Sequence, residues 1–153
     1  MNLKPLFCII FFVPMIASAN TCYTTSGMLI KDLYRKFPIG SLQKSIYTAS
    51  PEQVHQFFSK KLANLFIKDQ KCSKRINGVC NIEFDVLTYG QDFPDKNKYQ
   101  ILQNADSVVT VMVEYSDQPT FIEYKISNYN GKCKLIDNIT YNNNESLLNI
   151  LSR

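Results

Sequence analysis

The sequence predicts an α+β domain in which N-terminal helices pack on a curved antiparallel sheet. In the first half of the chain, apolar residues recur at the three- and four-residue spacing of helices. In the second half they alternate with polar residues, as in half-buried strands. Helices first and strands afterwards is the α+β order. The 153 residues, 45% apolar and 20% charged, suit one domain with a single core.

The first residues have the pattern of a secretion signal. Lys4 supplies a positive charge, an apolar stretch runs from Leu6 to Met15, and Ala17-Ser18-Ala19 offers small residues to signal peptidase. The apolar stretch is much shorter than the ~20 residues that a membrane-spanning helix needs. We therefore expect cleavage between Ala19 and Asn20, a single α+β domain over residues 20–153, and a periplasmic or secreted location.

Helical spacing and capping residues define the N-terminal helices. Apolar residues at helical spacing predict a first helix over Ser26–Phe37, which Pro38 stops. Before the second helix, Ser50 is a suitable cap, Pro51 suits the first helical position, and Gln53 can complete a capping box. This second helix is expected to continue without a break to about Lys71.

Three strands and a short helix are predicted in the second half. Alternating residues predict strands over Val108–Tyr115 and Phe121–Ser127. Asn130-Gly131 is a hairpin signal, so Lys132–Tyr141 is expected to return beside the preceding strand. A short helix over Glu145–Leu151 closes the chain. The long segment between the two halves is expected to be irregular.

Cysteine spacing predicts two disulfides. Four of the five cysteines lie beyond the signal, and an even number in an oxidising compartment favours disulfides, with three pairings open. Cys72 and Cys80 enclose a short loop with a turn signal, so their bond is the easiest to close. Cys22 and Cys133 would then form the second bond. Thr21, which precedes Cys22, is not the small residue that lipid attachment requires.

The sequence predicts no metal, cofactor or nucleic acid as a ligand. The cysteines include no Cys-x-x-Cys pair, and His55 is the only histidine, whereas zinc sites combine such groups at short spacing. The net charge of +4 is small and is not concentrated in a run of basic residues.

Motifs in the segment between the two halves, and in the last predicted hairpin, resemble those of a known family. The matching residues are Cys80, Phe84, Asp85, Gln91 and Asp92, followed by Gly131, Ile136, Asp137 and Ile139. They resemble those of the YbjP-like family of small exported bacterial proteins. The resemblance spans about Ser26 to Leu151 and implies a nuclear transport factor two-like (cystatin-like) cone. This chain lacks the tryptophan of that family's last strand and its lipidation site, and the resemblance implies no particular activity.

Six residues are candidates for a binding site, and the loop residues and tyrosines among them have structural alternatives. Two carboxylates and an amide on one loop can bind a ligand, but Asp and Asn side chains also hold irregular loops by accepting backbone N–H groups. Tyrosine suits an interface and equally the edge of a sheet. The candidates are Asp85, Tyr89, Gln91, Asp92, Glu114 and Tyr124.

These residues lead to two hypotheses about function. The first is a non-catalytic binding protein of the cell envelope that holds another protein, for example as an immunity or adaptor protein against a secreted toxin. The second is a small enzyme of isomerase type, with a strand carboxylate such as Glu114 as general base in a pocket between helices and sheet. A packed interior favours the first hypothesis, and an open pocket containing Glu114 favours the second.

Overall fold

The computed structural model describes residues 21–91, 98–114, 118–142 and 144–153. The predicted signal, Asp92 and Tyr115 lie outside the described residues. The helices are α1 Ser26–Lys36, α2 Pro51–Phe57, α3 Lys60–Ile76 and α4 Leu147–Leu151, and short 3-10 turns span Leu42–Lys44 and Ile46–Thr48. The strands are β1 Tyr99–Asn104, β2 Val108–Val113, β3 Thr120–Tyr129 and β4 Cys133–Tyr141. This confirms the α+β class.

Helix α1 begins at Ser26, as its apolar spacing predicts, and α2 begins where its capping residues predict. The hydroxyl of Thr25 accepts the backbone N–H of Met28 at the start of α1. At the start of α2, Ser50 and Gln53 form the predicted capping box around Pro51. Such caps satisfy N–H groups that have no partner inside the helix.

The prediction of one continuous helix after Ser50 is wrong. The chain leaves the helical conformation at Phe58, which is extended and forms a parallel bridge with Ile136 of β4. The next N–H group, that of Ser59, donates to the carbonyl of Ile136 at 2.9 Å. Bonding to the sheet thus replaces helical bonds here, and it lets both Phe57 and Phe58 become fully buried. Helix α3 continues to Ile76 and thus ends later than the predicted Lys71, and Asn77 follows it in the left-handed conformation.

The four strands form one open antiparallel sheet in the order β1-β2-β3-β4. Val109, Val111 and Val113 of β2 are fully buried, as their alternation predicts. The hairpin between β3 and β4 turns at Asn130 and Gly131, whose φ angles are 50° and 68°. Two successive residues with positive φ match the twist of the strands, which is why an Asn-Gly pair predicted this turn.

The sequence analysis missed the edge strand β1. It pairs with β2 from Tyr99↔Val113 to Asn104↔Val109, with an irregularity between Ile101 and Gln103. Its side chains are at most half-buried, and Leu102 is among the exposed apolar residues. An edge strand of this kind has little alternation of buried and exposed residues, so its sequence carries no clear strand signal. It forms by pairing with a neighbouring strand that is already in place.

The core lies between the helices and one face of the sheet. Leu33 of α1, Phe57 of α2 and Phe66 of α3 are fully buried, as are Ile122 and Ile136 of the sheet. Because the sheet is open and has β1 and β4 as its edges, the cone implied by the resemblance stays a prediction. Within the described part of the chain, no helix combines the length and apolar character needed to cross a membrane.

Both predicted disulfides are present. Cys72 and Cys80 are bonded with their Cα atoms 6.2 Å apart, and Cys22 and Cys133 with theirs 5.0 Å apart. The second bond fastens the N-terminal segment to the start of β4. Next to it, the N–H group of Lys134 donates to the carbonyl of Tyr23 at 2.8 Å, so the segment is held by backbone pairing as well.

Candidate functional site

Four of the candidate residues come from the segment after the Cys72–Cys80 disulfide, and its centre is a compact turn over residues 85–90. The N–H of Asp85 donates to the carbonyl of Gly90 at 2.9 Å, and the N–H of Tyr89 donates to the carbonyl of Asp85 at 2.7 Å. Tyr89 has a φ of 55°, which is uncommon for a bulky side chain. Backbone bonds within the turn hold that conformation.

Asp85 supports this turn with its side chain. Its Oδ1 accepts the backbone N–H of Leu87 at 2.8 Å. Burial raises the pKa of the Asp85 carboxyl, and hydrogen bonds from Leu87 and Thr88 partly oppose that rise. This geometry agrees with the structural alternative for Asp85, in which its side chain holds the loop by accepting a backbone N–H group.

Buried tyrosine hydroxyls fasten the turn to the body of the protein. The hydroxyl of Tyr34 in α1 donates to the carbonyl of Leu87 at 2.9 Å and lies 2.8 Å from the hydroxyl of Tyr124 in β3. The hydroxyl of Tyr141 in β4 donates to the carbonyl of Val86 at 3.2 Å. Burial raises the pKa of all three tyrosines. These bonds satisfy carbonyl groups of the buried part of the turn.

Tyr89 lies at the outer side of the turn. Its ring stacks on that of Tyr141 at a centroid distance of 4.2 Å and meets Phe84 edge-on at 4.9 Å. Its hydroxyl donates to Oε2 of Glu145 at 2.9 Å, and Oε1 of Glu145 accepts from Nη2 of Arg153 at 2.9 Å. The turn and the C-terminal helix region are thereby joined by a fixed aromatic and polar contact.

A cleft of about 190 Å³ lies between this segment and the C-terminal residues. We call it the turn cleft. Its lining combines side chains of both charges with amides and apolar groups: Asn81, Glu83, Phe84, Tyr89, Gln91, Glu145, Ile150 and Arg153. Small-molecule sites usually enclose about 300–1,000 Å³. The turn cleft is smaller, and its size suits one or two side chains of a protein partner.

The structure brings only some of the predicted site residues together. Tyr89 and Gln91 line the turn cleft, and Asp85 supports the turn from within. Tyr124 lies in the core, fully buried, where its hydroxyl meets that of Tyr34. Asp92 lies outside the described residues.

Glu114 lies apart from the turn cleft. It follows Val113, the last residue of β2, and its N–H group donates to the carbonyl of Lys98 at 3.5 Å. The face of β2 that looks toward the helices carries the fully buried valines, so the interior at this point is packed. The arrangement therefore favours the binding hypothesis over a pocket with Glu114 inside.

The sequence analysis did not identify Glu83, Glu145 and Arg153 as residues of the site. Glu145 and Arg153 reach the cleft through the C-terminal segment, and the bond from Tyr89 to Glu145 joins residues 56 positions apart. Only the tertiary fold brings them together. Acidic and basic residues near a chain end carry no signal of their own, because most such residues are solvated.

The surface along α3 carries a second depression. A larger open depression of about 510 Å³ runs along α3, and the described residues that line it all belong to that helix. Among the described residues, no cluster of three or more His, Cys, Asp or Glu side chains is arranged to hold a metal ion.

Comparisons with known proteins found no relative. The chain matches no protein-family model, and no curated protein or solved structure matches it significantly. The resemblance to the YbjP-like family stays a prediction.

Asp85 provides a test of the structural role of the turn. We expect Asp85→Ala to lower the free energy of unfolding by about 1–3 kcal/mol, because the buried N–H of Leu87 loses its acceptor. Asp85→Asn keeps an acceptor oxygen and removes the charge, so it should cost less. Chemical denaturation of both variants measures the difference.

The difference in stability between wild type and Asp85→Asn is expected to depend on pH. The folded-state pKa of Asp85 is raised, so the folded protein holds this proton more tightly than the unfolded chain does. Wild type should therefore lose stability relative to Asp85→Asn as the pH rises through the range above the ordinary aspartate pKa of about 4, because the carboxyl then ionises in the folded state. A relative gain by wild type over that range would show that the ionised carboxylate is favoured instead, as at a cation site.

Proposed function

We propose that this protein is an exported, non-catalytic binding protein that holds another protein of the cell envelope through the turn cleft. The observation that carries the proposal is the placement of Tyr89 and Gln91. They line a cleft that is too small for most small-molecule ligands, on a turn held by buried hydrogen bonds. In its most specific form, the protein acts as an immunity or adaptor protein, and its partner is a secreted toxin.

Export is supported by the chemistry of the chain. Two disulfides brace the domain, and such bonds form and persist in oxidising compartments such as the periplasm or the extracellular space. The pattern of Lys4, the apolar stretch and Ala17-Ser18-Ala19 supplies the matching signal.

Rigidity of the turn cleft favours protein recognition. The ring of Tyr89 is stacked on Tyr141, and its hydroxyl is bound to Glu145, so little side-chain freedom remains to be lost on binding. Glu83 and Gln91 are exposed beside it and offer polar contacts. A fixed aromatic surface with polar groups at its rim is the usual anatomy of a protein interface.

The isomerase hypothesis has less support from this geometry. A general base would need a carboxylate of raised pKa that faces a cavity. The carboxyl of Asp85 has a raised pKa, but its Oδ1 is occupied by the N–H of Leu87. Glu114 is not part of the turn cleft.

Cleft variants test the proposal. The exported protein is used as bait in periplasmic extract, and the bound proteins are compared with those bound by Glu83→Arg combined with Gln91→Arg. Both residues are exposed, so the fold should persist, while two long cationic side chains obstruct the cleft. We expect affinity for the captured partner to fall roughly thirtyfold or more, as when a hot spot worth about 2 kcal/mol is lost.

A matched control separates the cleft from general charge effects. Gln103→Arg combined with Glu123→Arg makes the same chemical changes at exposed positions of β1 and β3. This control should bind the partner as wild type does. Equal recovery of the partner by the cleft variant and the control would show that the turn cleft is not the binding site.

A further inference from the structure

The exposed surface of α3 carries a concentration of positive charge. Its acidic residue, Asp69, is only 2% exposed, so it does not neutralise the surface of the helix. The cationic side chains are all exposed: Lys60, Lys61, Lys68, Lys71, Lys74 and Arg75. We call this set the α3 cations. The modest net charge of the whole chain hides this local excess.

The fold itself gives little reason for this arrangement. Lys71 lies three residues after Lys68 and four before Arg75, and like charges at such spacings destabilise a helix. The helix dipole favours Lys74 and Arg75 in the last turn, but it disfavours Lys60 and Lys61 in the first, which contains no acidic residue. The ion pairs formed by the described residues use Arg35, Lys36, Lys134 and Arg153, so none involves the α3 cations.

Two aliphatic side chains project at the end of the same helix. Ile76 and Val79 are 54% and 59% exposed, and both lie inside the loop closed by Cys72 and Cys80. The N–H of Gly78 donates to the carbonyl of Ser73 at 3.2 Å, which holds the loop in a tight turn. We call residues 76–79 the α3 tip. Single exposed aliphatic residues are common on proteins, but here two of them share one covalently closed turn beside the cations.

This combination indicates a particular kind of partner. Cations attract the negative surface of a membrane that contains anionic lipids, and apolar side chains gain by entering its interfacial region. An acidic protein would also be attracted by the α3 cations, but its binding would not need the apolar tip. We infer that α3 and its disulfide-closed tip form a peripheral docking site for an anionic lipid surface. This inference does not rest on the function proposed for the turn cleft.

Vesicle co-sedimentation tests the inference. The exported protein, with both disulfides intact, is mixed with vesicles of phosphatidylcholine alone or of phosphatidylcholine with phosphatidylglycerol. We expect binding only to the anionic vesicles, with a strong decrease at high salt, because screening weakens attraction at a surface. Equal binding to both vesicles, or to neither, would overturn the inference.

Neutralising variants locate the site. Lys68→Gln, Lys71→Gln and Arg75→Gln are combined in one protein, and the matched control combines Lys31→Gln, Lys44→Gln and Lys125→Gln, which are exposed elsewhere. Each cation near an anionic surface contributes roughly fivefold to partitioning, so the α3 variant should lose roughly a hundredfold. The control should lose much less. Equal losses would mean that only net charge matters and would refute an α3 site.

The tip distinguishes a membrane from an acidic polymer. Ile76→Ser combined with Val79→Ser should weaken vesicle binding severalfold and leave binding to polyglutamate unchanged. If the tip variant binds vesicles as wild type does, the apolar tip takes no part in docking and the inferred site is wrong.

Discussion

Replacing Cys22 and Cys133 together by serine will lower the free energy of unfolding by about 5 kcal/mol. The bond joins residues separated by 111 positions, and closing so long a loop removes much of the conformational freedom of the unfolded chain. A loss of this size is comparable to the whole stability of many small domains. Denaturation in urea, compared between wild type and the double variant, measures it.

The other disulfide is the natural control. Cys72 and Cys80 are separated by only 8 positions, so replacing both by serine should cost about 2.5 kcal/mol in the same entropy model. The order of the two losses is the informative result. A larger loss from the short loop would show that the bonds act mainly through contacts in the folded state.

Asp69→Ala is the second change with a large expected effect. Asp69 is buried in α3, where its Oδ2 accepts the hydroxyl of Tyr47 and its Oδ1 accepts the N–H of Asn81, each at 2.8 Å. Alanine removes both hydrogen bonds to the carboxylate, and a hydrogen bond to a charged group contributes about 1.5–3 kcal/mol. We expect a loss of about 3 kcal/mol in the free energy of unfolding, measured by chemical denaturation.

The isosteric variant Asp69→Asn shows whether the lost hydrogen bonds cause the decrease in the free energy of unfolding. Asp69→Asn keeps an oxygen for the N–H of Asn81 and can direct its amide N–H to the hydroxyl oxygen of Tyr47. Its loss should therefore be about 1 kcal/mol or less. Equal losses for Asp69→Ala and Asp69→Asn would contradict this account and would indicate that the negative charge itself is required. Because Asn81 lines the turn cleft, Asp69→Ala should also weaken partner binding.

Local signals in the sequence predicted much of the fold. The capping box at Ser50, the alternation of β2 and the Asn130-Gly131 turn act over a few residues, and each formed where expected. The edge strand β1 was missed because its own residues lack a strong alternation, and the break at Phe58 was missed because it depends on backbone pairing with Ile136, which is distant along the chain. Long-range pairing of this kind overrides local propensity.

The site was predicted less completely than the fold, for a related reason. Sequence reasoning selected the loop that contains Asp85 and Gln91 because two carboxylates and an amide on one loop can bind a ligand. It could not supply Glu145 and Arg153, which reach the turn only through the folded C-terminal segment. Alternation along β3 places Tyr124 on the same face as Ile122 and Ile126, but the partner of its hydroxyl, Tyr34, comes from a distant helix.

Site-specific photo-cross-linking tests the central claim, that the turn cleft binds another protein. A photoreactive amino acid replaces Gln91 in the cleft in one variant and Glu123 on β3 in another, both at exposed positions. After illumination of cells that export the protein, we predict a discrete covalent adduct with a second protein at position 91 and none at position 123. No adduct at position 91, or the same adduct at both positions, would contradict the proposed function.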